Sequence, residues 1–203
     1  MRDLKLPPEC RIFEVGPRDG LQNEPKSLTL EKKLEYIEAL VAAGIRDIEV
    51  GAFVREDKIP QMAHSKELLE RLRDKGYDAK KEITFWTLVP NEKGLDRALE
   101  AKARAIALFT GATDTFTEKN IGMSIKDSLK VFEKVTARAT KEGIRVRGYI
   151  STVWGCPFEG EVSPGSAVGL ARNLLDMGIE QVSLGDTIGV ATPIHVMNLL
   201  VRL

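Results

Sequence analysis

The sequence predicts an α/β fold of the (β/α)8 TIM-barrel type, of which about six β/α units are present. Apolar, β-rich runs alternate with segments of helical period, and the connections between them are short. One joint recurs, in "AAGIRDIEVGAF" (42–53), "KEGIRVRGYIST" (141–152) and "DMGIEQVSLGDT" (176–187). In each, a glycine closes a helix, an isoleucine packs back on it, and a strand begins. Strands that alternate with helices in this way indicate a parallel sheet.

The elements follow in order along the chain. Strands are predicted near 11–16, 47–53, 83–89, 104–110, 145–151 and 181–185, and helices near 30–43, 64–75, 92–102, 125–142, 164–177 and 193–203. Four helices begin at recognisable N-caps, which are Thr29, Ser124 with Asp127, Ser163 before Pro164, and Thr192 before Pro193.

A barrel is favoured over a doubly wound open sheet. No GxGxxG follows the first strand and no GxxxxGK[ST] occurs, so the usual nucleotide sites of open sheets are weakly supported. The near-equal repeats favour a barrel, which needs eight units. No linker is evident, so we expect residues 1–203 to form a single, incomplete barrel domain.

Composition excludes several classes of function. Lys+Arg and Asp+Glu both total 30, so no basic or acidic tract suggests nucleic acid or a solvated tail. No membrane span or signal peptide is evident. The two cysteines lie far apart without a CxxC, so a reducing compartment is expected, either the cytoplasm or, in a eukaryote, the mitochondrial matrix.

Polar residues gather at the predicted carboxyl ends of the strands, where ligands bind in parallel α/β folds. They are Arg18, Asp19, Gln22, Glu49, Asn120, Tyr149, Thr152 and Asp186. Glu49 lies in an apolar run and needs a partner, for which Arg18 is the natural candidate. Asp19 is a hard oxygen ligand for Mg²⁺ or Mn²⁺, and Asp186 is a second acid.

Plain structural interpretations stand beside these. Arg18 and Asp19 could form a salt bridge in a turn, and Glu49 could be paired only structurally. Asp186 could cap a turn, and Asn120 could be a loop residue before the next helix. The convergence of several such groups on separate strand ends favours a site.

Four segments together resemble one family. "EVGPRDGLQNE" (14–24), "IPQM" (59–62), "RGYIST…GCPFEG" (147–160) and "SLGDTIGVATP" (183–193) are similar to 3-hydroxy-3-methylglutaryl-CoA lyase, of the DRE-TIM metallolyases. The resemblance implies a divalent cation and cleavage of that CoA thioester to acetyl-CoA and acetoacetate, as in leucine degradation and ketone body formation.

The resemblance also implies residue roles. Asp19 is a metal ligand, Arg18 stabilises the enolate, and Glu49 supports Arg18. Gln22, Asn120, Tyr149 and Thr152 border the substrate, and Asp186 lies close to the reacting hydroxyl.

The sequence departs from the family in two respects. The family's His-x-His pair, metal-binding asparagine and loop cysteine belong to the last two barrel units and do not occur here, so we expect this chain alone to be inactive. Ala52 stands where the family commonly has serine, which leaves the acyl group open. An aldolase for a related hydroxy acid and a non-catalytic assembly protein are the alternatives, and exposed strand edges predict a homodimer or other self-association.

Overall fold

The computed structural model describes residues 8–80 and 82–203. These group into two compact units, one of Cys10–Ala107 and one of Leu108–Leu203 with residues 8–9. The boundary falls inside a strand, so each unit contains part of it.

The Cys10–Ala107 unit is a parallel sheet with helices in alternation. Its strands are β1 (Phe13–Glu14), β2 (Asp47–Ala52), β3 (Thr84–Leu88) and the start of β4 (Ala105–Gly111), paired in that order. The helices α1 (Leu30–Ala42), α2 (Ser65–Asp74) and α3 (Glu92–Glu100) follow the first three strands in turn. Short 3₁₀ turns lie at Pro60–Met62 and Tyr77–Ala79.

Side chains of both the helices and the strands form the core of this unit. The Thr29 hydroxyl accepts a hydrogen bond from the Lys32 amide at the start of α1, as predicted, and Ile37 on that helix is fully buried. Strand β2 is buried along its whole length, as expected for a parallel strand covered on both faces.

The Leu108–Leu203 unit has the same alternation with one addition. The rest of β4, β5 (Arg145–Ser151) and β8 (Gln181–Leu184) pair in that order, and β6 (Gly155–Cys156) with β7 (Gly160–Glu161) forms an antiparallel hairpin. The helices are α4 (Asp114–Ile121), α5 (Ile125–Lys141), α6 (Pro164–Asp176) and α7 (Pro193–Leu200).

Strand β5 shows which face of this unit carries the core. Val146, Gly148 and Ile150 are buried, whereas the residues between them are half-buried. A Cβ on Gly148 would lie 2.9 Å from Leu174 Cδ1, so helix α6 packs directly on the strand backbone. The half-buried face is the one that carries Tyr149.

The predicted alternation and the N-caps at Thr29, Ser124 and Ser163 are confirmed, and the deviations are local. The Ser124 and Ser163 side chains accept amides of α5 and α6. Strand β1 has two residues rather than the six of 11–16, because a turn begins at Gly16. The helix α4 and the β6–β7 hairpin were not predicted. Within the described residues, no helix is both long and apolar enough to cross a membrane.

Candidate active site

The "VGPRDG" stretch forms one wide turn of π-helical type over Gly16–Gly20. The carbonyl oxygen of Val15 accepts hydrogen bonds from the amides of Arg18, Asp19 and Gly20, at 3.1, 2.7 and 3.5 Å. Turns of this kind are rare and are often found at functional sites. The Val15 carbonyl therefore closes the turn without the side chains of Arg18 and Asp19, which are left for other contacts.

Arg18 and Glu49 form a buried ion pair. Arg18 Nε donates to Glu49 Oε1 at 2.7 Å, and Arg18 Nη2 lies 3.4 Å from Glu49 Oε2. The Glu49 side chain is fully buried and that of Arg18 is 10% exposed. The predicted pairing of these two residues is confirmed, and it orients the planar guanidinium.

A β-bulge lies beside Glu49. Glu49 pairs with Trp86 and Gly51 with Thr87, so β2 uses one more residue than β3 across this step. Bulges re-aim side chains and are frequent next to active sites. A Cβ on Gly51 would lie 2.5 Å from Ser65 Oγ, so only glycine allows the bulged strand to approach α2 this closely.

Asp19 lies in this turn, and Gln22 follows it in the chain. The Asp19 side chain is 56% exposed, and its Oδ1 accepts from Arg18 Nη1 at 2.8 Å. Gln22 is half-buried in the helical turn that follows. Asp19 therefore forms the salt bridge with Arg18 that the purely structural interpretation predicts. Its carboxylate is also exposed enough for a ligand to reach it.

The donor set does not fit a complete divalent metal site. In residues 8–80 and 82–203, no group of three or more His, Cys, Asp or Glu side chains is placed to hold a metal ion. Mg²⁺ bound by one protein carboxylate keeps most of its waters or takes oxygens from its substrate. Asp19, the residue expected to bind the metal, has an exposed carboxylate that is bonded to Arg18.

In the other unit, Thr152 directly follows β5 and has a strained conformation. Its φ is +58°, which is unusual for a β-branched residue, and it is fully buried. The Thr152 amide donates to Thr187 Oγ1 at 2.7 Å, and Thr152 Oγ1 accepts from the Ala112 amide at 3.3 Å. Such strain is concentrated at functional sites and persists only where neighbours hold it.

Asp186 follows β8 and caps a turn. Its two carboxylate oxygens accept from the amides of Val190 and Ala191, at 3.1 and 2.8 Å. The adjacent Gly185 approaches the carbonyl oxygen of Ile150, to which a Cβ would come within 3.3 Å. The turn-capping interpretation of Asp186 therefore holds, and the loop that carries Asp186 is bonded to Thr152 through Thr187.

Tyr149 lies on a predicted strand, whereas Asn120 lies on a helix that was not predicted. Tyr149 lies on β5 with the Arg147 guanidinium 5.2 Å from its ring centroid. Asn120 is not a loop residue, as one interpretation had it, because it lies in α4 and its Nδ2 donates to the carbonyl of Phe116 at 3.0 Å. The Thr- and Asp-rich segment has low helix propensity, and the left-handed Gly122 ends the helix.

Sequence reasoning missed three supporting residues. Glu14 accepts the Gly16 amide at 2.6 Å, Lys33 is buried on α1, and Thr187 accepts the Thr152 amide. Lys33 could have been noticed as the one charge on an otherwise apolar helix stripe. Glu14 and Thr187 gave no signal, because their partners are backbone amides.

The family of the chain can be stated from comparison. A family model described as HMGL-like matches residues 9–203. The chain belongs to this family. This confirms the resemblance drawn from "EVGPRDGLQNE" and the three other segments.

Individual proteins agree with the HMGL-like assignment. The 3-hydroxy-3-isohexenylglutaryl-CoA/hydroxy-methylglutaryl-CoA lyase of Pseudomonas aeruginosa is 45% identical over 93% of this chain and 61% of its own length. The cytoplasmic 3-hydroxy-3-methylglutaryl-CoA lyase of Danio rerio is 43% identical over 93% of this chain and 55% of its own length. The chain thus spans about three fifths of the length of these relatives.

Solved structures support the fold. Hydroxymethylglutaryl-CoA lyase from Pseudomonas aeruginosa has a TM-score of 0.91 and 43% identity, over 98% of this chain and 65% of that one. An Acinetobacter baumannii HMG-CoA lyase in complex with coenzyme A and 3-methylmalate has a TM-score of 0.85 and 33% identity, over 94% of this chain and 60% of that one. The predicted fold, a TIM-barrel type with about six β/α units in this chain, is confirmed.

The buried ion pair makes a stability prediction. Arg18→Met leaves the Glu49 carboxylate buried without its cation, which we expect to lower the free energy of unfolding by roughly 3–5 kcal/mol. Asp19→Asn is the matched control and should change it by less than about 0.5 kcal/mol, because the side chain is mostly exposed. Urea denaturation measures both, and the double variant Arg18→Met with Glu49→Leu should recover most of the loss. Equal effects of Arg18→Met and Asp19→Asn would contradict this assignment.

Proposed function

We propose that this protein cleaves 3-hydroxy-3-methylglutaryl-CoA, or a close homologue, to acetyl-CoA and acetoacetate. The observation that carries the proposal is the buried ion pair between Arg18, in the "VGPRDGLQNE" segment of an HMGL-like chain, and Glu49 on β2. Because the chain spans about three fifths of its relatives, the activity, the substrate and the partners belong to the proposal.

Arg18 has the central role. Cleavage transfers the proton of the substrate's tertiary hydroxyl to a base and breaks a carbon–carbon bond. The electron pair of that bond passes into a thioester enolate, which then takes up a proton to give acetyl-CoA. A fixed guanidinium opposite the enolate oxygen stabilises the charge that develops, and the Glu49 ion pair keeps the guanidinium oriented.

The remaining residues border the substrate in this proposal. Gln22, Asn120, Tyr149 and Thr152 contact the acyl or thioester portion, and Asp186 is the acid nearest the reacting hydroxyl. The capping bonds from Val190 and Ala191 fix the direction of the Asp186 carboxylate. The strained backbone of Thr152 supports a role beyond folding for the end of β5.

A divalent cation, Mg²⁺ or Mn²⁺, completes the proposal with Asp19 as one ligand. When bound, such an ion polarises oxygens of its substrate. The described residues do not complete its coordination, so none of the proposed steps depends on it.

The acyl group is left open by Ala52, which is buried at the end of β2. A methyl side chain there removes one hydroxyl and leaves more room than serine. Substrates with a larger 3-substituent are therefore part of the proposed range, and turnover of free 2-keto acids instead would favour an aldolase.

We also infer that residues 1–203 belong to one barrel domain that works in the cytoplasm, or in the mitochondrial matrix of a eukaryote. Self-association is supported by apolar side chains exposed along 188–203, which are Ile188, Val190, Ile194, Met197, Leu200, Val201 and Leu203. Strand β8 is also an edge strand of the sheet in its unit, and such edges can pair with another chain.

The first functional prediction concerns Arg18→Gln in the natural gene product that contains this sequence. We expect kcat to fall by about 10²–10³-fold with little change in KM, because the cation acts on charge that appears in the transition state. Arg145→Gln is the control, since Arg145 is paired with Glu180 in the other unit, and it should change kcat by less than about twofold. Unimpaired turnover by Arg18→Gln would exclude the proposed role.

A second prediction concerns the metal. The 203-residue chain alone should bind Mn²⁺ weakly and should not turn over the CoA thioester, because Asp19 is a single ligand. Electron paramagnetic resonance of free Mn²⁺ measures the binding, and Asp19→Asn should abolish what binding there is. Tight binding that survives Asp19→Asn would contradict the ligand assignment, and turnover by this polypeptide would contradict the expected inactivity.

A third prediction concerns association. The 203-residue chain should form dimers or larger species as concentration rises through the micromolar range, measured by size-exclusion chromatography with light scattering. The double variant Ile194→Lys and Val201→Lys should shift the equilibrium toward monomer, because it places charge on the exposed apolar face. A wild-type chain that stays monomeric throughout would remove this part of the proposal.

A further inference from the structure

A short segment after β2 is bonded to three neighbouring elements of its unit. It consists of residues 60–63, contains the 3₁₀ turn Pro60–Met62, and leads into α2. We refer to residues 60–63 as the strap. Its bonds run to α1, to the end of β2, and to the loop after the Arg18–Asp19 turn.

The bond to α1 is made by a buried lysine. Lys33 Nζ donates to the carbonyl oxygens of Gln61 and Ala63, at 2.6 and 2.8 Å, and the residue is 4% exposed. Burial lowers the pKa of Lys33, which the negative charge of Glu56 partly opposes. Burying an ammonium is unfavourable unless its donors are satisfied, so these two carbonyls hold the lysine in one place.

The bond to β2 is made by a serine. Ser65 Oγ donates to the carbonyl of Met62 at 2.7 Å and accepts from the Ala52 amide at 3.1 Å. Ala52 lies three residues beyond Glu49, on the far side of the bulge. The strap is thereby fixed to the carboxyl end of the strand that carries Glu49.

The bond to the loop is made by an amide. Gln61 Nε2 donates to the carbonyl of Glu24 at 2.9 Å. The loop is otherwise held by local bonds, from the Asn23 amide to Gly20 and from the Glu24 amide to Leu21, at 3.1 and 3.2 Å. The Gln61 bond is therefore a link from this loop to a distant part of the chain.

We propose that Lys33 is a positioning residue, which holds the strap so that the loop after Arg18–Asp19 stays aligned with the carboxyl end of β2. Arg18 lies just before this loop and Glu49 lies on β2, so their 2.7 Å contact depends on that alignment. The two carbonyl bonds fix the Lys33 Nζ atom against the strap. The effect of this alignment on catalysis rests on the proposed function. The coupling between the strap, the loop and β2 rests on the hydrogen bonds alone.

Amide hydrogen exchange of the 203-residue chain tests the coupling. Lys33→Met keeps an unbranched apolar side chain, one atom shorter, and removes the ammonium donors. It should raise exchange by about tenfold or more at Ala52, Asn23 and Glu24, because a hydrogen bond from a charged donor is lost. Lys32→Met is the matched control on the same helix, since Lys32 is exposed and bonds to Glu35, and it should leave these amides unchanged.

A second variant separates the links and does not disturb the core. Gln61→Met removes the bond to Glu24 but keeps the carbonyl that Lys33 uses, so exchange should rise at Asn23 and Glu24 but not at Ala52. If Lys33→Met fails to fold, this variant decides alone. Uniform acceleration across the unit in Lys33→Met, or no change at Asn23 and Glu24 in Gln61→Met, would overturn the proposal.

The coupling and the proposed function can fail separately. Turnover of the CoA thioester by the wild-type natural gene product tests the function, whatever the exchange data give. If both stand, Lys33→Met in that enzyme should lower kcat about tenfold or more with less change in KM, because Arg18 would be misaligned in the transition state. A loss confined to thermal stability, with kcat intact, would make Lys33 structural only.

Discussion

The structure around the candidate site depends on one buried charge. Glu49 is fully enclosed in an apolar strand, and its carboxylate can be there only if a cation reaches it. The wide turn that delivers Arg18 and the bulge that re-aims Glu49 both serve that contact. Buried ion pairs contribute little net stability compared with apolar residues of the same size. Retention of this pair therefore fits a chemical role better than a purely structural one.

In the Leu108–Leu203 unit, the notable feature is a strained backbone, whereas in the Cys10–Ala107 unit it is a buried ion pair. The left-handed Thr152 is held by neighbours on both sides, since its amide bonds to Thr187 and its hydroxyl to Ala112. The loop that carries Asp186 is anchored by its own capping bonds and by Thr187. In each unit, the groups expected to face the substrate thus have positions set by partners that do not themselves react.

The sequence predicted two kinds of feature correctly: patterns that repeat along the chain, and charged residues placed where apolar ones are expected. The strand–helix alternation follows from period, and the Arg18–Glu49 pair follows from a charge in an apolar run. The helix α4 escaped because tertiary contacts, such as buried Phe116, override its weak propensity. Glu14 and Thr187 were missed for another reason: their partners are backbone amides, which every sequence supplies and no motif marks. The capping role of Asp186 was foreseen only as an alternative.

The closure of the Gly16–Gly20 turn has an evolutionary consequence. One peptide oxygen, that of Val15, accepts the amides of Arg18, Asp19 and Gly20. No side-chain substitution at Val15 removes that oxygen, whereas a Cβ on Gly16 would lie 2.5 Å from Tyr36 Oη. Replacement of Arg18 would in addition leave the buried Glu49 carboxylate without this cation. Variation in this turn is therefore expected at Val15, whose side chain does not close the loop, before it is expected at Gly16 or Arg18.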